Sequence, residues 1–285
     1  MQFLFSVARV AFFALALCLG TGFFGARAAS AASGPAVNTG AANAGGAHVA
    51  KAAPSLDMMI GSMLMLGFRG ADLPPGDPFL AQVRAGHVGH VILFDRDVTT
   101  GGERNITSPQ QLRQLTATLR AASPGPLLIA VDQEGGRVRR LKTQKGFADL
   151  PSAQSMGAGQ PDKTRAIARQ LGRELASLGI SVNLAPVADV NSNPANPAIG
   201  ALERSFSPDP AKVAAHALAF GQGLAQQGVI PALKHFPGQG GAQKDSHLGL
   251  TDISRCWNAR ADLAPYAQAF AQGWPGMVML GHLYH

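Results

Sequence analysis

The chain has 285 residues, of which 46% are hydrophobic and 14% charged, with a formal net charge of +7 and two cysteines. This composition suits one sizeable core; it excludes a disordered or collagen-like chain, and two cysteines cannot staple a disulfide scaffold. Basic residues are scattered apart from Arg137, Arg139, Arg140 and Lys142, and only 6% of residues are aromatic, so the basic stripe interleaved with aromatics that a nucleic-acid reader needs is missing.

The first predicted element is a secretion signal over residues 1–28. Arg9 supplies a basic residue ahead of the apolar run at 10–19, and Ala26-Arg27-Ala28 offers the small-x-small cleavage pattern. The run is too short for a hydrocarbon core that takes about 20 residues to cross, so no stable membrane span is expected after signal removal. The protein is therefore expected to be exported, periplasmic or secreted. Removing Arg9 and Arg27 takes the charge from +7 to +5, and removing Cys18 leaves Cys256 as the single cysteine. Residues 29–53, mostly Ala, Gly, Ser and Asn, bury too little apolar surface to offset their ordering entropy and read as a flexible linker. Residues 54–285 read as the globular domain.

Within that domain apolar runs alternate with helical patterns. Strands are predicted at 63–68, 88–94, 127–131, 181–187, 229–233 and 277–280, and helices at 108–122, 162–178, 210–227 and 259–272. A βα alternation of this kind points to an α/β fold with a parallel sheet, and a (β/α)8 barrel is the natural closure. About six of its eight units are expected here. The strand ends carry polar residues: Asp95 to Asp97 after the second, Asp132 after the third, Asp189 after the fourth, Lys234 and His235 after the fifth, His282 after the sixth. In barrels this edge is where chemistry sits.

The richest segment is 233–250, LKHFPGQGGAQKDSHLGL. Asp245 and His247 lie two apart, a spacing that lets the carboxylate accept from one imidazole nitrogen and leave the other free to exchange protons. That is a general acid/base unit. Lys234 and His235 are ambiguous, since a Lys after a strand is more often a surface charge than a substrate ligand. Asp189 reads equally as a cap for loop amides or a pocket residue, and Asp95 to Asp97 as an exposed turn or part of the rim. Glu134 reads as capping amides in its Gly-rich turn. The bond before Pro237 is expected to be cis, where the chain leaves the strand.

Taken together, Asp132-Gln-Glu-Gly-Gly-Arg-Val-x-Arg140, Ala185-Pro-Val-Ala-Asp189, Glu203-Arg-Ser-Phe206, Lys234-His-Phe-Pro-Gly238 and Asp245-Ser-His247 resemble family 3 glycoside hydrolases, in their bacterial β-N-acetylglucosaminidase branch. The resemblance implies a C-terminally incomplete barrel that removes terminal β-linked N-acetylglucosamine from peptidoglycan fragments or chitin oligomers by a retaining mechanism. It implies His247 as acid/base with Asp245 orienting it, Asp132 and Arg140 holding sugar hydroxyls, and Arg204, Lys234 and His235 completing the pocket. No organic cofactor or metal is implied. Gln239 stands where the family usually has a second His, and Gly241 where an Asp is common. The family's nucleophilic Asp belongs to a later segment, and no residue here is assigned that role. An inactive or sugar-binding barrel is the alternative, as is a phosphorylase of the same family, and the chain as given is expected to be inactive and poorly soluble. A metallohydrolase using His235, Asp245, His247 and His282 is a weaker rival, since tight ligand pairs such as HExxH are missing.

Overall fold

In the computed structural model, which describes residues 53–285, six of the apolar segments pair side by side as parallel strands. The predicted signal and almost all of the linker lie outside the described residues. The chain enters through α1 (Leu56–Gly61) and β1 (Met65–Gly67). Then α2 (Pro78–Arg84) leads to β2 (His90–Leu93), and α3 (Pro109–Ala122) to β3 (Leu128–Val131). A short antiparallel hairpin follows, β4 (Gln133–Gly135) with β5 (Val138–Arg139). Next come α4 (Ala153–Gly157), α5 (Pro161–Ser177), β6 (Val182–Asn183), α6 (Pro210–Ala225) and β7 (Ile230–Phe236). After β8 (Thr251–Asp252), α7 (Ala259–Asp262) and α8 (Ala264–Ala271), β9 (Met277–Leu280) joins the sheet, and β10 (Leu283–Tyr284) pairs with β8.

The sheet order is β1-β2-β3-β6-β7-β9, with every neighbouring pair parallel, so chain order and spatial order agree. This is the arc of a (β/α) barrel in which helices return each strand to the same end. Alternation along the strands splits the core in two. Val91, Leu93, Ile129 and Val131 face the helix layer with Leu115, Leu119, Leu171, Leu175 and Phe220. Ile92, Ala130, Val182, Leu184 and Ala232 face the barrel interior with Met65, Leu128 and Met277.

Local chemistry sets the helix starts. Ser108 accepts from the Gln111 amide at 3.2 Å ahead of Pro109, and Asp209 from the Ala211 amide at 2.9 Å ahead of Pro210. In both, proline occupies a first-turn position whose amide has no helical partner in any case. The predicted helix at 259–272 is instead two, because Pro265 cannot donate backward and α8 starts afresh at Ala264. The predicted strand at 181–187 is regular only over Val182–Asn183; beyond it Pro186 has no N–H, and the segment stays beside β7 through the Ala232 amide on the Ala185 carbonyl at 2.9 Å and a bridge from Val187 to Lys234. The strand predicted at 229–233 runs on to Phe236, which brings Lys234 and His235 into the sheet itself.

Candidate active site

All six strands point their carboxyl ends the same way, so the residues that follow them meet at one edge. Asp132 follows β3, and Glu134 lies two further on in β4, on the same side of the extended chain. Between them Gln133 faces the other way and is fully buried. Its Oε1 accepts from the Arg140 and Leu141 amides at 2.9 and 3.0 Å, and its backbone exchanges bonds with the Asn183 amide group at 2.9 and 3.0 Å. Gln133 thus clamps the hairpin to β6 and fixes the carboxylates on either side of it.

Those carboxylates meet two cations. Lys234 Nζ, from β7, lies 2.8 Å from Asp132 Oδ1 and 2.7 Å from Glu134 Oε1. Arg204 grips Glu134 through Nε at 2.7 Å and Nη2 at 2.8 Å, while its Nη1 donates to the Ala198 carbonyl at 2.6 Å. Glu134, Arg204 and Lys234 are all buried. Burial alone would push the Glu134 carboxyl up, but Arg204 and Lys234 outweigh it and hold the group well below the ordinary carboxylate range. Asp132 follows the same balance: burial raises it, Lys234 and Arg140 overcome that, and its pKa ends below the usual value. Burial works against the Arg204 charge too, yet Glu134 raises its pKa further.

Arg140 closes one side, with Nη2 at 3.5 Å from Asp132 Oδ2, while its buried Nε has no hydrogen-bond partner. Asp95 is buried and receives Lys142 Nζ at 2.6 Å; Asp97 is buried and pairs with Arg69. Of the predicted turn, only Arg96 is exposed.

On the other side, His235 is held by Asp189. Nδ1 lies 2.7 Å from Asp189 Oδ2, and Nε2 lies 3.4 Å from Arg204 Nη2. Burial lowers the His235 pKa, with Arg204 and Lys234 acting in the same direction and Asp189 opposing them, so the imidazole is neutral near pH 7. Asp189 Oδ1 also accepts from the Gln239 amide at 2.8 Å, so Asp189 bonds a loop amide as well as His235. The chain turns at Phe236–Pro237 through the expected cis bond, and Ala185–Pro186 and Lys234–His235 are cis as well.

The loop after β7 has a fixed root and an exposed tip. Asn196 Nδ2 donates to the Gln239 carbonyl at 2.7 Å, and Asn193 Nδ2 to the Ala242 carbonyl at 3.0 Å. Gly240 lies so close to the chain at 190 that a Cβ would sit 1.7 Å from the Val190 carbonyl oxygen, which is why this root needs glycine. At the tip, Asp245 Oδ1 accepts from His247 Nδ1 at 2.7 Å and from the His247 amide at 2.9 Å, with the imidazole 66% exposed. Burial is the largest single influence on Asp245 and raises it, but the His247 amide and imidazole together outweigh it and lower its pKa. Ser246 Oγ donates back to Gln239 Oε1 at 3.3 Å, joining tip to root.

The structure therefore gathers Asp132, Arg140, Arg204, Lys234 and His235 into one network and sets Asp245 and His247 on the adjoining loop. His282 is exposed beyond β9. Among the described residues no group of three His, Cys, Asp or Glu is placed to hold a metal ion, and no helix is long and apolar enough to cross a membrane. One sequence expectation is corrected: Glu134 does not cap its own turn but pairs with Lys234 and Arg204. Its two-residue spacing from Asp132 in an extended segment was the available signal. Gln133, Asn183 and Asn196 left none, because the bonds that tie them to the site, Gln133 to Asn183 and Asn196 to Gln239, join residues 50 and 43 apart in the chain.

Residues 55–285 match the N-terminal domain of glycosyl hydrolase family 3. A beta-hexosaminidase A of Pseudoalteromonas piscicida is 38% identical over 250 residues, covering 79% of this chain and 40% of that protein. A family 3 beta-N-acetylglucosaminidase structure from Paenibacillus sp. str. FPU-7 superposes with a TM-score of 0.72 at 35% identity, over 81% of this chain and 42% of the other. NagZ of Neisseria gonorrhoeae, solved with N-trifluoroacetyl-D-glucosamine, gives a TM-score of 0.68 at 33% identity, over 78% and 63% of the two chains. The chain thus spans between two fifths and two thirds of the length of these relatives.

Proposed function

This chain belongs to glycosyl hydrolase family 3, and on that premise we propose that it forms the sugar-binding floor and supplies the acid/base of a retaining β-N-acetylglucosaminidase. The observation that carries the reading is the pairing of His247 with Asp245 on a loop whose root is bonded to the same Asp189 that holds His235. A carboxylate can only accept, so Nδ1 of His247 carries the proton and Nε2 is left to exchange one with a glycosidic oxygen and then with water. Asp132 and Arg140 are placed to bond sugar hydroxyls with charge assistance, and the names of the relatives favour an N-acylated glucosamine. Terminal β-linked N-acetylglucosamine on peptidoglycan fragments or chitin oligomers is the proposed substrate. The carboxylate that attacks the anomeric carbon is assigned to none of the residues described. The apolar run at 10–19 with Ala26-Arg27-Ala28 supports export, which N-terminal sequencing of secreted protein beginning at residue 29 would test.

In a preparation of this sequence that turns over substrate, alone or as part of a longer polypeptide, His247→Ala should lose about 100-fold or more on glycosides with basic leaving groups and far less on activated aryl glycosides. Equal losses on both would remove His247 from the acid/base role. Free N-acetylglucosamine as product supports hydrolysis; the sugar 1-phosphate would make the protein a phosphorylase.

A further inference from the structure

One fully buried carboxylate is bonded to both halves of the site. Asp189 Oδ2 accepts from His235 Nδ1 at 2.7 Å, and Asp189 Oδ1 accepts from the Gln239 amide at 2.8 Å and more distantly from the His235 amide at 3.5 Å. The loop carrying Asp189 is itself held, since Ser205 Oγ, next to Arg204, donates to the Asp189 carbonyl at 2.6 Å. Gln239 then passes the constraint on, because its side-chain oxygen accepts from Ser246, the residue between Asp245 and His247.

We propose that Asp189 is a positioning residue: it fixes His235 as the Nδ1–H tautomer, so that Nε2 presents an acceptor to a sugar hydroxyl, and it anchors the root of the loop that bears Asp245 and His247. The proposal rests on reading His235 as a sugar ligand. Its chemistry follows from the donor inventory. An ionised carboxylate accepts at both oxygens, so the proton of a neutral His235 must lie on Nδ1. The Nε2 lone pair then faces Arg204 Nη2 at 3.4 Å, a long contact that a closer hydroxyl donor can displace. A protonated imidazole would instead set its Nε2–H against the Arg204 guanidinium and beside Lys234, and the burial of all three groups disfavours that charge.

An amide at position 189 can accept on one side only. The Gln239 backbone N–H can never become an acceptor, whereas an imidazole changes tautomer at little cost. Asp189→Asn should therefore keep its oxygen on the loop amides, turn its NH2 toward His235 and drive the ring to the Nε2–H form. The ring would then offer the sugar a donor in place of an acceptor.

The test reads the imidazole directly by long-range 1H–15N correlation spectra of 15N-labelled protein, together with calorimetric titration of N-acetylglucosamine. We expect Nδ1–H at His235 in the wild type, Nε2–H in Asp189→Asn with the Gln239 amide still protected from exchange, and affinity lower by about tenfold or more. An Nε2–H or doubly protonated His235 in the wild type overturns the proposal without need of any variant. So does a folded Asp189→Asn protein that keeps Nδ1–H and wild-type affinity. A tautomer switch with unchanged affinity overturns the assignment of His235 to the sugar while leaving the positioning by Asp189 intact.

Discussion

The floor and the loop tip of this site both set a carboxylate against a basic side chain, to opposite ends. On the floor, Asp132, Glu134, Lys234 and Arg204 are charged groups held largely out of water, with every ion pair between 2.7 and 2.8 Å. At the tip, Asp245 and His247 form an equally short pair with the imidazole 66% exposed. Buried ions must be matched because desolvation costs several kcal/mol each, so the floor is held in one geometry by its own pairs. An exposed pair has little at stake in folding. It is free to be placed for proton transfer, which needs contact with solvent and substrate alike.

The largest expected effect follows from breaking the floor. Glu134→Ala leaves Lys234 with one partner and Arg204 with none among the floor carboxylates, and should cost about 3 to 5 kcal/mol in denaturant unfolding. A loss under about 1 kcal/mol would mean that water reaches the network, and the contrast with the tip would fail. Removing a pocket group while keeping one carboxylate on Lys234 should be gentler to the fold. Asp132→Ala or Arg140→Ala is expected to weaken N-acetylglucosamine binding, or kcat/KM where turnover is measured, by about 2 to 4 kcal/mol. Unchanged affinity in a folded variant would make both residues structural.

Acidification separates the regions further. His235, and His216 on α6 with its Nδ1 2.8 Å from Thr164 Oγ1, have folded pKa values below their ordinary 6.5, through burial first, so the unfolded chain binds more protons just below that pH. Stability is then full above about pH 6.5 and falls as pH drops from there toward the lower folded values. Glu134 and Asp132 are also depressed, so they stabilise the fold above their ordinary values of 4.5 and 3.8, and that contribution is lost as pH falls through their still lower folded values. Urea midpoints measured from about pH 7.5 down to about pH 3.5 should decline throughout; a rise on acidification contradicts the assignment. The smallest effect belongs to the tip, where His247→Ala should shift unfolding by no more than about 0.5 kcal/mol. A large destabilisation would show that the fold depends on the tip no less than on the floor.

Much of this was legible in the chain. The run 127–131 is apolar on both faces, as a strand buried on both sides requires, and Ser108-Pro109 and Asp209-Pro210 mark helix starts through bonds made within four residues. The Asp245–His247 pair was legible for the same reason, since its partners are two residues apart and carry their geometry with them. What the sequence could not decide is which charges are buried together. Glu134 reads as a turn residue until β6 and β7 are laid in turn beside β3 and bring Lys234, 100 residues away in sequence, onto it, and Arg204 arrives from another loop. Asp189 reads as ambiguous because its two partners, His235 and Gln239, are supplied by a strand end and a loop root that meet it only in the folded sheet. Local bonds and periodicity are properties of a segment, so the sequence determined most of the strands and helices and the bonded Asp245–His247 pair. Desolvated ion pairs and tautomers are properties of a place, and that place exists only once the strands have been set side by side.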